Sequence, residues 1–132
     1  MARLAWVLLA FGAAACVGPD IPEVVTGDWG GLHLGMIATE TGADLEYDCA
    51  TGRITGAVRP DANGRFSSPG KHFPGRGGPI GGSGQPEIRS ARYEGTVRGT
   101  KMIITVTLTD TNEVLGTFVL YQGASPRVFK CL

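Results

Sequence analysis

Charge of one sign, histidine and long apolar runs are all scarce in this 132-residue chain, and each scarcity closes off a class of function. Lysine plus arginine and aspartate plus glutamate number 12 each, so the formal net charge is zero. A nucleic-acid-binding domain carries a basic patch or stripe, so no nucleic-acid partner is expected. The two histidines, His33 and His72, have no cysteine or carboxylate at metal-ligand spacing. A zinc site needs three or four such groups, so neither a metal nor any other cofactor is expected. The longest uninterrupted apolar region, Leu4 to Ala15, spans 12 residues. At 1.5 Å per helical residue it reaches about 18 Å, short of the ~30 Å hydrocarbon core of a bilayer. After it, no stretch has the 3.6-residue apolar period of a helix.

What is present at the N-terminus is a targeting pattern. Arg3 precedes the apolar run, and Ala13-Ala14-Ala15-Cys16 follows it. A positive start, a short apolar region and small residues before a cleavage point are the parts of a secretion signal, expected over residues 1–15. The small residues before Cys16 resemble a bacterial lipobox, which implies lipidation of Cys16 and membrane attachment through that lipid. Ala13 stands where the lipobox usually has leucine, and ordinary signal-peptidase cleavage is the alternative. Val17 to Thr26 carries two prolines and no periodicity, and residues 16–26 read as a tether. By resemblance to Gram-negative lipoproteins, Val17, in place of an aspartate retention signal, implies an outer-membrane lipoprotein facing the periplasm.

Three cysteines in an exported chain leave one over. If Cys16 carries lipid, Cys49 and Cys131 remain as a disulfide pair in an oxidising compartment. A bridge spanning most of the mature chain is worth up to about 4–5 kcal/mol in the chain-entropy account.

From Gly27 onward the pattern is β throughout. Gly27 to Thr39 alternates Leu32, Leu34, Met36 and Ala38 against His33, Gly35 and Ile37, the period-2 signature of a half-buried strand. Ala43, Leu45, Tyr47 and Cys49 alternate with Asp44, Glu46 and Asp48, and a third strand follows over Ile54, Gly56 and Val58. Pro60 to Gly64 has strong turn chemistry, and Arg65 to Ser67 makes a short fourth strand. Ser68 to Gln85, with seven glycines and three prolines, reads as a long loop. Ala91–Arg98, Lys101–Leu108 and Val114–Tyr121 supply three more strands, and Arg127–Leu132 an eighth that closes beside the first. Eight short strands, tight turns and abundant glycine favour a small antiparallel up-and-down β-barrel over residues 27–132, with no helix in the mature chain. The mixture of Gly and Ala with Leu, Tyr and Phe on the inward faces favours a mostly filled interior.

Gly27-Asp28-Trp29 at the start of the first strand resembles the Gly-x-Trp of lipocalin-like barrels. That resemblance implies structural roles for Trp29 and for Arg127, in the place where the group packs a basic residue over the tryptophan. The helix that follows the barrel in lipocalins has no counterpart here. Overall the chain resembles small bacterial lipoproteins of uncharacterised function. Tyr47-Asp48-Cys49, the terminal Cys131 and Ser90-Ala91-Arg92-Tyr93 are also similar to the membrane-bound inhibitors of c-type lysozyme, with Ala91 where that family has glycine.

Catalysis has no support, because no histidine–carboxylate pair is evident in the sequence beside a nucleophile, and the chain is not expected to be an enzyme. The carboxylates Asp44, Glu46 and Asp48 share one strand face, where pairing with Arg53 or other cations is a better account than a calcium site. The glycine-rich segment has neither the spacing nor the strand–loop–helix context of a phosphate cradle. It lacks acidic residues between Asp61 and Glu87 while carrying Arg65, Lys71, His72, Phe73 and Arg76. Lys71, His72, Phe73, Arg76, Ser83, Ser90 and Arg92 are therefore the candidate binding residues, on a loop suited to a protein partner. The expected function is a lipid-anchored binding or interaction module of the cell envelope. Inhibition of lysozyme and carriage of a small apolar ligand inside the barrel are the alternatives.

Overall fold

A computed structural model describes residues 20–75 and 87–131. Eight antiparallel strands form a closed barrel in sequence order: β1 (Gly27–Gly31), β2 (Leu34–Thr39), β3 (Gly42–Tyr47), β4 (Ala50–Thr55), β5 (Arg65–Pro74), β6 (Arg89–Arg98), β7 (Lys101–Leu108) and β8 (Glu113–Gln122). Among the described residues there is no helix. The signal segment, Cys16 and its flanks, Arg76 and Ser83 lie outside the described residues.

The number of strands is as expected, but several bounds differ, and the strand expected over Ile54, Gly56 and Val58 is β4, which begins at Ala50 and ends before Gly56. Gly27–Thr39 is a hairpin, because the chain reverses at Leu32-His33 and pairs Gly31 with Leu34. Arg127–Cys131 is not a strand. It touches the sheet only through a parallel bridge between Leu32 and Arg127, and β8 closes the barrel against β1 instead. The segment read as a loop from Ser68 is, as far as Pro74, the second half of β5. Residues 20–26, read as tether, are packed against the barrel: Val25 is fully buried and its N–H bonds to the Val58 carbonyl, while the Asp20 carbonyl accepts from Gly99 N–H.

Alternation fills the interior. Trp29, Leu34, Met36, Leu45, Ile54, Phe66, Tyr93, Val97, Met102, Ile104, Val106 and Leu120 all point inward and are buried. Outside, Asp44 pairs with Arg53 across β3 and β4, with Nε 2.8 Å from the carboxylate. At an exposed site such a pair contributes little, of order 0–1 kcal/mol.

After β8 the chain does not end at the sheet. It turns back over the outer face of the β1–β2 hairpin and runs to the opposite end of the barrel as a strap. Gly123 N–H bonds to Asp28 O, Arg127 N–H to Gly31 O, and Cys49 N–H to Phe129 O. Gly30 and Gly35 face each other beneath it, and a Cβ at Gly35 would come within 2.8 Å of the Pro126 ring. The strap lies on the wall because those two positions have no side chain. It ends in the Cys49–Cys131 disulfide, whose Cα atoms are 4.7 Å apart. Strands adjoining within a sheet lie about 4.8 Å apart. Two cysteines separated by two strand spacings are out of bridging range, and leaving the sheet to fold over the barrel end brings Cys131 to Cys49.

Candidate binding site

The strapped end of the barrel is made by the β1–β2 turn, the β3–β4 turn, the end of β5 and the start of β8. β1 has five residues and β8 has ten, and they pair only at Trp29–Gln122 and Gly30–Tyr121. The Glu113–Phe118 half of β8 therefore projects past the hairpin. The opening left there is a cavity of about 430 Å³ lined by His33, Tyr47, Asp48, Ala50, His72, Pro74, Leu115 and Phe118, with Cys49 and Gly75 completing the wall. That volume lies within the usual range for small-molecule sites, about 300–1,000 Å³.

Two positions at the rim are held in the left-handed backbone region: His33 at φ 72° and Cys49 at φ 60°. Non-glycine residues enter that region at some cost and stay where the surroundings over-determine them. Here the strap supplies the constraint. His33 N–H donates to Arg127 O at 2.7 Å and Cys49 N–H to Phe129 O at 3.0 Å. His33 Nδ1 meets Asp48 Oδ2, and the other Asp48 oxygen accepts from Phe129 N–H at 2.8 Å. The Phe129 ring lies 5.6 Å from the His33 ring. The disulfide, the strap and the His33–Asp48 pair are thus one unit.

Deeper in, Tyr47 O–H donates to Tyr93 at 2.8 Å, and Tyr93 O–H donates to the Lys71 carbonyl at 2.8 Å. Burial pushes both phenols up from their ordinary range, so both stay protonated. His72 sits beside this chain, its ring 5.8 Å from that of Tyr47. It is 8% exposed, and its buried Nδ1 has no hydrogen-bond partner. Burial first, and the Arg89 guanidinium second, lower its pKa, with Glu113 opposing, so the imidazole is neutral at neutral pH. A base whose folded pKa lies below its unfolded value binds its proton more readily when unfolded. Stability from His72 is accordingly full above about pH 6.5 and is lost as pH falls below it. Urea midpoints at pH 8 and pH 5 are expected to differ more in the wild type than in His72→Phe, and equal differences would refute the assignment.

The sequence-based candidates do not form one loop site. His72 points into the barrel, Phe73 is half-buried beside it, and Lys71, Ser90 and Arg92 face outward on β5 and β6. Lys71 Nζ bonds to Ser90 Oγ at 3.3 Å and Arg92 to Glu94 at 2.6 Å, so these side chains largely satisfy one another. The His33–Asp48 pair was not anticipated. Residues 15 apart meet because the β1–β2 and β3–β4 turns share one end of the barrel. The length of the Gly27–Thr39 stretch was the available signal, since 13 residues is long against a usual strand of about 5–6.

Among the described residues no three His, Cys, Asp or Glu groups converge as a metal set, and no serine, threonine or free thiol lines the cavity. Apolar walls, a neutral imidazole and a tyrosine hydroxyl are suited to holding a molecule. Searches with family models, curated proteins and solved structures find nothing that matches this chain.

Proposed function

We propose that this chain is a lipid-anchored binding module of the bacterial cell envelope, holding a small, largely apolar ligand in the cavity at the strapped end of its barrel. The observation that carries this reading is the contrast along the barrel. Side chains fill the interior from Trp29 to Leu120, whereas the strapped end leaves about 430 Å³ free beside a buried polar atom with no partner.

The path of the N-terminal segment supports the anchor's place in this scheme. Asp20 is hydrogen-bonded to the β6–β7 turn and Val25 to the β4–β5 connection, both at the end opposite the cavity. Three residues lie between Cys16 and Asp20, so the four Cα–Cα steps reach at most about 14 Å. A lipid on Cys16 therefore sets the far end of the barrel against the bilayer and leaves the strapped end facing the aqueous compartment, which for an outer-membrane lipoprotein of this orientation is the periplasm.

Cys16→Ser is expected to shift the protein from the membrane to the aqueous fraction. A fragment screen followed by amide chemical shifts is expected to perturb Tyr47, Ala50, His72 and Phe118 together. Hits clustering on Lys71, Ser90 and Arg92 would replace this site with the outer face of β5–β6. An unlipidated wild-type N-terminal peptide would remove the anchor.

A further inference from the structure

We infer that the ligand class of the strapped cavity is a neutral, ring-bearing molecule with a single hydroxyl, seated against His72. This rests on the cavity being the binding site, and it goes further by stating what the site selects.

Shape and wall chemistry select the ring. The Tyr47 ring stands 5.8 Å from His72 and 6.2 Å from Phe118, both tilted, so three rings surround the opening. Aromatic pairs favour tilted or offset contacts with centroids 4.5–7 Å apart, and a guest ring can extend that set. Leu115, Pro74 and Ala50 complete an apolar wall. A 150 Å³ apolar cavity holds benzene, so this larger space accommodates a two-ring molecule.

The polar atoms select the hydroxyl. Tyr47 spends its proton on Tyr93, and Tyr93 spends its own on the Lys71 carbonyl. The chain runs in one direction, leaving the Tyr47 oxygen as an acceptor. His72 lines the cavity, but its Nδ1 lies beneath the wall with no partner, so a ligand hydroxyl meets it as donor or acceptor, according to tautomer, when the imidazole turns about Cβ–Cγ. A hydroxyl, which both donates and accepts, suits either tautomer.

The charges select neutrality. No lysine or arginine lines the cavity among the described residues. Arg89, the cation that acts on His72, is already engaged by Asp110 at 2.8 Å and Glu113 at 3.9 Å. The Asp48 carboxylate is met by His33 and by Phe129 N–H, so it has no unmet demand for a cation and would repel an anion.

The test titrates the full chain with 2-naphthol, naphthalene and 2-naphthoate, following amide shifts at the cavity and the ¹⁵N shifts of the His72 ring. 2-Naphthol is expected to bind at least about 10-fold more tightly than either of the others, since a buried polar group left unpaired discriminates strongly against a ligand that cannot meet it. Its binding is expected to move the His72 Nδ1 resonance. His72→Phe is expected to remove the preference, bringing the naphthol and naphthalene affinities within about 2-fold of each other. Equal affinity for naphthol and naphthalene, or an unmoved Nδ1, overturns the inference but leaves the cavity as a binding site. Preference for naphthoate overturns it in favour of an anionic ligand. Failure of all three probes to perturb the cavity overturns the proposed site as well. The Nδ1 measurement is made on the wild type and stands even if His72→Phe does not fold.

Discussion

Replacing Cys49 and Cys131 together by serine is expected to lower the stability of the domain by about 2–5 kcal/mol. The bridge joins positions 82 apart, so it removes loop-closure freedom from most of the unfolded chain. For a domain of this size, with a urea dependence of about 1–3 kcal/mol per M, the midpoint should fall by about 1 M or more. The loss will not be spread evenly. Strand pairing from β1 to β8 does not involve the strap, so the barrel is expected to keep its amide pattern if it stays folded. The strapped end should change. Without the bridge, the bonds from His33 N–H to Arg127 O, Cys49 N–H to Phe129 O and Phe129 N–H to Asp48 fray together, and with them goes what holds His33 and Cys49 at positive φ. Shift changes confined to residues 31–34, 47–50 and 126–131 are the expected signature. A midpoint that is the same with and without reductant would show that the strap is held by its hydrogen bonds alone.

The β-barrel class was legible because its cause is local. Residues such as Ala43, Leu45 and Tyr47 alternate strictly with Asp44 and Glu46, and a one-residue slip would bury carboxylates, so the pattern admits one arrangement. The Asp44–Arg53 pair was legible for the same reason, being a cross-strand neighbour across a tight turn. The first hairpin was hidden by one residue. Leu32, 57% exposed at the reversal, continues the even-numbered apolar series of Leu34, Met36 and Ala38, so the alternation runs unbroken through the turn. Parity in fact changes there, with Trp29 inward on β1 and Leu34 inward on β2.

The second half of β5 was hidden by composition. Ser68, Gly70 and His72 face inward and are small or polar where a barrel strand usually presents a large apolar group. A Cβ at Gly70 would run into the Arg53 carbonyl on β4 and lie 2.7 Å from the Tyr93 ring, so the glycine admits both a close neighbouring strand and a large side chain from β6. Glycine content alone reads as loop, and only the facing strand shows why it is a strand. The cavity at the strapped end was hidden in the same way. It is assembled from turns and strand ends far apart in sequence, and the orphaned His72 nitrogen is defined only by what fails to reach it.

Trp29→Ala is expected to cost about 3–5 kcal/mol, whereas Arg127→Ala should stay within about 0.5 kcal/mol of the wild type. The indole is 2% exposed and among the largest side chains of the core, so its loss leaves a cavity that surrounding strands cannot close. Its Nε1–H also donates to Thr26 O at 3.1 Å, tying the N-terminal segment to β1. Arg127 is exposed, and its contribution runs through its backbone, which bridges to Leu32, donates to Gly31 O and accepts from His33 N–H. An alanine keeps all of those. The lipocalin-like expectation, with the basic side chain packed over the tryptophan, requires the opposite: the two substitutions should then be costly and strongly non-additive. A double-mutant cycle by urea unfolding separates the cases. Additive effects dominated by Trp29 support a strap held by main-chain bonds and the disulfide. A coupling energy above about 1 kcal/mol would show that the Arg127 side chain, and not only its backbone, holds the barrel closed.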